Sequence, residues 1–271
     1  MDKLAVSNIA WTDSNEKVFK LLSDIGVSGV EVAPGKVAGG WEGLDVKSMQ
    51  AYRTLCADFG LVIPSFQAFL FGKPELQLLG DEKSFVAFTN HMKFIAELAQ
   101  TAGAKVLVYG APKNRLLLEH SYDDGMAIAE ERLAVLADIC WDFEVSIGLE
   151  AVPAIYGGEI IKSYKESAAI VKAVNHPGLV FHLDTGCTFL NDESVTEAIN
   201  QTSDIIRHFH ISQPKLTDFS DNAKYHAEAA IILNKMNYAG WLCIEMLQTD
   251  APLNSIQIAV DFVRNQYQNN F

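Results

Sequence analysis

The amino-acid sequence predicts an α/β fold, a single (β/α)₈ TIM barrel that spans residues 1–271 as one domain. Three observations lead to this prediction. Short apolar runs rich in β-branched residues alternate with longer segments of helical period along the whole chain. No linker rich in Pro, Gly or Ser interrupts the alternation. The apolar runs number eight, and runs that are apolar on both faces are typical of parallel strands covered by helices.

Each apolar run predicts a strand, and the segment that follows it predicts a helix because its apolar residues recur every three or four positions. The predicted strands are Leu4–Trp11, Val27–Ala33, Val62–Phe69, Lys105–Gly110, Ser146–Val152, Leu179–Thr185, Ile205–Ser212 and Trp241–Met246. The predicted helices are Glu16–Ile25, Val46–Phe59, Lys83–Ala102, Asp124–Phe143, Tyr164–Val174, Asp192–Thr202, Ala223–Met236 and Leu253–Asn269, of which Asp192–Thr202 has the weakest period.

A doubly wound open sheet is the alternative arrangement of the same elements. A dinucleotide-binding sheet of that kind carries a G-x-G-x-x-G phosphate cradle after its first strand. Here residues 8–13, at the first junction of strand and helix, read Asn-Ile-Ala-Trp-Thr-Asp. The lack of the cradle in this stretch favours the barrel.

Composition argues against several classes of function. The chain has 21 Lys and Arg against 34 Asp and Glu, a formal net charge of −13, so a nucleic-acid backbone would be repelled. Its four cysteines form no CxxC pair, which is typical of reduced thiols in a cytosol. The N-terminus shows no signal-peptide pattern, and no stretch approaches the roughly 20 apolar residues of a membrane helix. We therefore expect a soluble, cytoplasmic protein without nucleic-acid or membrane partners.

Polar residues that end the apolar runs indicate the active site, because a (β/α)₈ barrel forms its site at the carboxyl ends of its strands. The last four strands each end in a residue of metal-ligand type, namely Glu150, Asp184, His210 and Glu245. Left bare, such a group would be repulsive, whereas a divalent cation would turn the repulsion into coordination. Oxygen-rich ligation with one nitrogen favours one Mn²⁺, with Mg²⁺, Co²⁺ and Zn²⁺ as alternatives. For any one of the four residues, a hydrogen-bonded barrel-end side chain is the competing interpretation.

At these residues the sequence resembles the sugar phosphate isomerase and epimerase branch of the xylose isomerase-like TIM-barrel superfamily. Relatives in that superfamily include D-tagatose 3-epimerase, hydroxypyruvate isomerase, inosose dehydratase and endonuclease IV. The resemblance covers nearly the whole chain. Its motifs are Gly-Val-Glu-Val at 29–32, Gly-Leu-Glu at 148–150, His-Leu-Asp-Thr-Gly at 182–186, His-Phe-His at 208–210 and Tyr-Ala-Gly-Trp-Leu-Cys-Ile-Glu at 238–245. It implies that Glu150, Asp184, His210 and Glu245 bind one metal, and that the two Glu act as proton acceptor and donor on opposite sides of the substrate.

The activity that the resemblance implies is isomerisation or epimerisation of a small sugar, sugar acid or sugar phosphate. A proton would leave the carbon next to a metal-bound carbonyl and then return. A metal-dependent lyase of the inosose dehydratase type is the nearest alternative, because the same intermediate can expel a hydroxyl group. An abasic-site endonuclease would need more metal ligands and a basic surface. A non-catalytic binding barrel would show a decayed ligand set.

The sequence departs from the family pattern at two places. Many relatives have Asp-x-x-His after the sixth strand, whereas this chain has Cys187 where that His is expected. Relatives that handle free ketoses commonly carry Asp and Arg a few residues beyond the His of strand seven, whereas residues 211–215 here read Ile-Ser-Gln-Pro-Lys. A close copy of D-tagatose 3-epimerase is therefore not expected. The missing imidazole could come from His182 or His226.

Four further residues are predicted to contact the substrate. Glu31 ends the second strand and could hold a hydroxyl, with a salt-bridged barrel-end Glu as the alternative. Gln67 could point inward from an aromatic-rich run. Lys113 and Arg115 could clamp a phosphate or carboxylate, with a solvated loop as the alternative. The aromatic run Phe69–Phe71 would suit contact between two copies, so we also expect a homodimer.

Overall fold

The computed structural model describes residues 3–220 and 224–267. Its strands are β1 Leu4–Ser7, β2 Gly29–Glu31, β3 Ser65–Phe66, β4 Val106–Tyr109, β5 Ser146–Glu150, β6 Leu179–Asp184, β7 Ile206–Ser212 and β8 Trp241–Glu245. They pair in parallel as one sheet in the order β2-β1-β8-β7-β6-β5-β4-β3. The two end strands also meet, because Val30 N donates to Val62 O at 2.9 Å and Val32 N donates to Ser65 O at 3.0 Å. The sheet closes on itself, which confirms the (β/α)₈ barrel.

Helices connect the strands on the outside of the barrel. They are α1 Asn15–Asp24, α2 Val46–Asp58, α3 Glu82–Ala102, α4 Tyr122–Trp141, α5 Tyr164–Val174, α6 Thr185–Leu190, α7 Val195–Thr202, α8 Lys224–Lys235 and α9 Pro252–Tyr267. The short helix α6 was not predicted from the sequence. The predicted start of one helix at Ala223 and the predicted end of another at Asn269 lie outside the described residues. Within the described part of the chain, no helix is both long and apolar enough to cross a membrane.

The strands are shorter than their apolar runs, and local hydrogen bonding gives the reason. The first run continues past Ser7, whose hydroxyl accepts from Ile9 N at 3.4 Å and begins a tight 3₁₀ turn. In the third run, Pro64 has no N–H to donate to a neighbouring strand. Ala68 then has a φ of 51°, which is incompatible with a strand. The ends of these two apolar runs therefore lie in loops rather than in strands.

Alternation along each strand separates an outer apolar face from an inner face. In β6, Phe181 and Leu183 alternate with His182 and Asp184, and all four side chains are buried. The ring of His182 packs against two rings of β7, at centroid distances of 5.1 Å to His208 and 4.2 Å to His210. The inner face of the last strands is therefore polar, while the outer face packs under the helices.

Candidate active site

Four ionisable side chains converge at the carboxyl ends of β5 to β8. Glu150, Asp184 and His210 each offer a ligand atom, and these atoms lie within 4.8 Å of one another. Glu245 joins them, because its Oε2 lies 3.1 Å from Nδ1 of His210. Strand register explains the convergence. Asp184 of β6 lies opposite His210 of β7, and Ser212, two residues further along β7, lies opposite Glu245 of β8. The structure brings together the four residues that the sequence suggested as ligands of one metal.

The carboxylate of Asp184 is held by hydrogen bonds to both of its oxygens. Oδ1 accepts from the backbone N–H of Cys187 at 2.6 Å, which caps the start of α6. Oδ2 accepts from Ser212 Oγ at 2.6 Å. Ser212 was not singled out in the sequence. Its position two residues after His210 in the same strand was the available signal, because alternate strand residues share a face.

The imidazole of His210 has carboxylates on both sides of its ring. Its Nδ1 faces Glu245 at 3.1 Å and Asp184 Oδ2 at 3.8 Å. Its Nε2 lies 2.9 Å from Oε1 of Glu31 on β2. Metal-bound histidines commonly donate their second ring N–H to a carboxylate, which fixes the ring and its tautomer. The ring of His210 is therefore oriented to offer Nδ1 to a cation and to donate from Nε2.

Glu31 is fully buried and accepts a hydrogen bond from Ser65 Oγ at 2.7 Å. It does not line the cavity of about 660 Å³ at the mouth of the barrel, so we do not include it among the proposed substrate contacts. The structure agrees with the alternative considered for it, a barrel-end Glu in an ion pair. Burial would raise the pKa of this carboxyl, but His210 first, and then His208 and Ser65, lower it to about 2. Glu31 is therefore ionised and able to hold His210.

The electrostatics of the four converging residues leave negative charge uncompensated. Burial, followed by the charges of Asp184 and Glu245, raises the pKa of Glu150 well above its usual range. Burial also raises the pKa of Glu245, although His210 opposes it. For His210 burial lowers the pKa, but Glu31 and Glu245 outweigh burial and raise it well above its usual value. A buried donor set of this kind fits a divalent cation, which would neutralise the charge.

Two further histidines lie deeper in the barrel. His208 Nδ1 and His182 Nδ1 are 3.1 Å apart, and His208 Nε2 lies 2.9 Å from Ser65 Oγ. Burial, with the charge of His210 next, lowers the pKa of His182 well below its usual value. His182 is not among the residues that line the cavity. The structure therefore places it beneath the site rather than in contact with a substrate, and we do not retain it as the missing imidazole.

The structure also places His226 and Arg115 away from the cavity. His226 is buried under α9, where its Nδ1 is 2.9 Å from Tyr267 Oη, and burial lowers its pKa to about 3. The Arg115 guanidinium is fully buried and donates to the backbone oxygens of Glu150 at 3.0 Å and Ile161 at 3.3 Å. Because both side chains are already used inside the protein, we do not include them among the proposed substrate contacts. Arg115 instead fixes the end of β5.

A cavity of about 660 Å³ lies above the converging carboxylates at the mouth of the barrel. Glu150, Asp184 and Glu245 line it. Of the substrate contacts expected from the sequence, Gln67 and Lys113 also line it. Gln67 is buried and donates from Nε2 to Ser7 Oγ at 2.5 Å, whereas Lys113 is exposed. The cavity joins the ionisable cluster to solvent.

Cys187 lines the cavity where relatives are expected to carry histidine. Its Sγ lies 3.7 Å from Oε1 of Glu150 and is placed to donate to it. Burial, followed by the charges of Asp184 and Glu150, raises the pKa of the thiol well above its usual value, so it stays protonated. Gly110 leaves room for the same carboxylate, because a Cβ at that position would overlap Glu150 Oε2. The carboxylate of Glu150 is therefore confined on two sides.

We expect Glu31→Gln to weaken metal binding by about 10- to 100-fold, because the neutral amide no longer fixes the charge and orientation of His210. Titration of the metal-free variant with Mn²⁺, followed by calorimetry, measures this. Ser65→Ala is the matched control, since it removes one hydrogen bond to Glu31 but keeps the carboxylate. The role assigned to Glu31 fails if Glu31→Gln binds Mn²⁺ as tightly as the wild type does.

Comparison with known proteins places this arrangement in context. The sequence profile of a family described as xylose isomerase-like TIM barrel matches residues 19–266. No curated protein matches the chain. Among solved structures, L-ribulose 3-epimerase is 16% identical with a TM-score of 0.83, over 99% of this chain and 95% of that chain.

Two other solved structures are similar over their full length. The 3-keto-D-glucoside 4-epimerase YcjR from E. coli is 16% identical with a TM-score of 0.79, over 98% of this chain and 100% of that chain. A D-psicose 3-epimerase from Clostridium cellulolyticum H10, solved with D-tagatose, is 14% identical with a TM-score of 0.81, over 98% of this chain and 99% of that chain. At these identities the likeness is one of fold.

Proposed function

The chain belongs to the xylose isomerase-like TIM barrel family, and on that premise we propose that it is a divalent-metal-dependent isomerase or epimerase of a small sugar, sugar acid or sugar phosphate. One observation carries the proposal. Three carboxylates and an imidazole lie buried together beneath a cavity at the carboxyl ends of the strands. The similar solved structures support it, because their names describe epimerases of ketoses and of a keto-glucoside.

Glu150, Asp184, His210 and Glu245 would hold the metal, and Mn²⁺ suits an oxygen-rich set with one nitrogen. The cation would act as a Lewis acid on a sugar carbonyl and acidify the adjacent C–H. Hydrogen bonds from Cys187 N and Ser212 Oγ hold Asp184, and Glu31 holds His210. Ligands fixed in this way lose little freedom when they bind a cation.

In this proposal Glu150 and Glu245 move the proton. They come from β5 and β8, which are not neighbours in the sheet, and both line the cavity. Burial raises the pKa of both carboxyls, which favours uptake of a proton by either one. One would accept the proton from carbon while the other returns it. Return to the opposite face of the same carbon gives an epimer, and return to the neighbouring carbon gives an isomer.

Three other residues that line the cavity are the proposed contacts for the rest of the substrate. Gln67 would meet a hydroxyl, Lys113 a hydroxyl or an anionic group, and the Cys187 thiol would donate to Glu150 or to a substrate oxygen. We further propose that the protein is cytoplasmic, acts on a small carbohydrate and pairs with a second copy.

The decisive experiment is solvent-proton exchange. Protein loaded with Mn²⁺ is incubated in D₂O with a panel of ketoses, keto-glycosides, sugar acids and sugar phosphates, and the products are read by NMR and mass spectrometry. We expect deuterium on the carbon next to the carbonyl, together with an epimer or isomer. A product that has lost water would identify a lyase instead. If no member of the panel exchanges, the proposal is wrong.

The metal should stabilise the protein more at pH 8 than at pH 5.5. Burial raises the pKa of Glu150, and Glu31 raises that of His210, so both groups hold protons in the metal-free protein at low pH. A group with a raised pKa in the folded state stabilises it at low pH and loses that contribution as pH rises. The cation replaces the lost protons, so its binding strengthens with pH.

Melting temperatures with and without Mn²⁺ at the two pH values measure this difference. At a metal concentration of about 100 times the Kd, the stabilisation is about 2.7 kcal/mol. Asp184→Asn is the control and should show a much smaller gain at either pH. An equal or larger gain at pH 5.5 in the wild type would contradict the assignment of these groups as ligands.

A further inference from the structure

The cavity above the proposed metal ligands has two chemically different parts. The floor is acidic, since the carboxylates of Glu150, Asp184 and Glu245 line it. The loops that follow β3, β4, β5 and β7 supply a mainly apolar wall. That wall contains Phe69, Leu70, Phe71, Pro112, Val152 and Leu216. A ligand that fills both parts is polar at one end and apolar at the other.

The volume of the cavity exceeds what a monosaccharide needs. The cavity measures about 660 Å³, which lies in the range of sites for larger, drug-sized ligands. A hexose has roughly twelve non-hydrogen atoms. If each atom took the roughly 30 Å³ that one water molecule takes in the liquid, the hexose would fill at most about 360 Å³. A hexose bound at the acidic floor would therefore leave nearly half of the cavity unfilled.

Polar side chains beside the apolar wall are already engaged within the protein. Gln213 Oε1 accepts from Tyr225 Oη at 2.9 Å. Asn114 Nδ2 donates to the backbone oxygens of Lys73 and Leu76, each at 2.8 Å. Additional substrate hydroxyl groups placed here would lose their hydrogen bonds to water without gaining these side-chain atoms as partners. An apolar group placed here would instead gain from leaving water.

We propose that the substrate is a glycoside with an aromatic aglycone and a ketone on its sugar ring, in which the sugar lies on the acidic floor and the aglycone lies against the apolar wall. The inference rests on the proposed function for the sugar end. Phe71 is the principal contact for the aglycone, because its side chain is 79% exposed although it lines the cavity. Aromatic rings pair favourably with one another, and a bound aglycone would cover this ring.

Lysine side chains on the cavity wall make a sugar phosphate the competing ligand. Lys73 and Lys113 both line the cavity. Lys73 Nζ is already placed 4.8 Å from the centroid of the Trp41 ring, and Lys113 lies exposed at the rim. The buried Arg115, which would have provided the rigid fork for a phosphate, is bonded to backbone oxygens instead. This arrangement favours the aromatic group over the phosphate.

Equilibrium binding to the Mn²⁺-loaded protein, measured by calorimetry, tests the proposal with three probes: phenyl β-D-glucoside, methyl β-D-glucoside and glucose 6-phosphate. We expect the phenyl glucoside to bind at least about tenfold more tightly than the methyl glucoside. Phe71→Ala should remove most of that preference. Trp141→Ala should retain it, because Trp141 is a partly exposed aromatic residue that lines a separate cavity at the opposite end of the barrel.

The proposal is overturned if the phenyl glucoside shows no binding or no preference over the methyl glucoside. It is also overturned if Phe71→Ala keeps the full preference, or if glucose 6-phosphate binds more tightly than the phenyl glucoside. Because these probes report binding and the D₂O experiment reports proton exchange, the two failures are distinguishable. A protein that exchanges protons on free ketoses without an aryl preference keeps the proposed function and loses only this inference.

Discussion

Glu245→Gln is expected to lower the rate of solvent-proton exchange into the substrate by about 10³-fold, the middle of the range for losing a general acid or base. Glutamine has nearly the same shape as glutamate but can neither accept nor release a proton near neutral pH. Glu245 lines the cavity, and burial raises the pKa of its carboxyl, which favours uptake of a proton. The loss should appear mainly in kcat, because the substrate keeps its other contacts.

The measurement must separate proton transfer from metal binding, since Glu245 also faces Nδ1 of His210 at 3.1 Å. Exchange rates are therefore taken at saturating Mn²⁺, with the metal content of the same samples measured in parallel. Glu144→Gln is the matched control, because Glu144 is an exposed carboxylate paired with Lys105. A Glu245→Gln variant that holds its metal and keeps more than a tenth of the wild-type rate would contradict the role assigned to this residue.

Asp184→Asn and His210→Ala are each expected to reduce bound divalent metal from near one per chain to a small fraction. Loss of a residue that only holds a metal ligand in place lowers metal affinity by about 10- to 100-fold. Removal of a direct ligand should therefore lower it by at least about 100-fold. In Asp184→Asn the new amide group must also face Cys187 N or Ser212 Oγ, both of which donate to the aspartate. The substitution therefore removes charge and disturbs the contacts that hold the ligand.

Metal content is measured by mass spectrometry after loosely bound ions have been removed and the proteins reloaded with Mn²⁺, Mg²⁺, Co²⁺ or Zn²⁺. His176→Ala is the control, since His176 pairs with Asp138 at 3.2 Å and lines the cavity at the opposite end of the barrel. Melting of the metal-free proteins shows whether the variants fold. If the folded variants keep wild-type metal, or if the wild type takes up none after reloading, the proposed metal site is wrong.

Much of the fold could be predicted because its signals are local. The spacing of apolar residues and the turn residues between them predicted the positions of all eight strands. The observed strands differ from the predicted ones only at their ends, as at Ser7, where the hydroxyl begins a turn. The helix α6 was missed because a six-residue helix is too short to show a period. Its start depends on the cap from Asp184, a residue that was considered only as a metal ligand.

Strand-end patterns also sufficed to select the candidate site. Glu150, Asp184, His210 and Glu245 each end an apolar run, and parallel strands of a barrel bring such ends to one mouth. Contacts between distant parts of the chain could not be selected in this way. Glu31 reaches His210 across 179 positions of sequence, so a hydroxyl contact and an ion pair were equally consistent with its local surroundings.

The sequence by itself determined the (β/α)₈ barrel and the mouth at which four candidate ligands meet, because both depend on short-range period and on the strand that a residue ends. The family followed from resemblance in short motifs at those strand ends. Only the tertiary structure decided which polar residues face the cavity. Lys113 and Arg115 lie two positions apart, yet one lines the cavity and the other is buried against backbone oxygens. That outcome depends on which unpaired carbonyls the folded loops leave within reach, and a charged side chain is buried only where such partners exist.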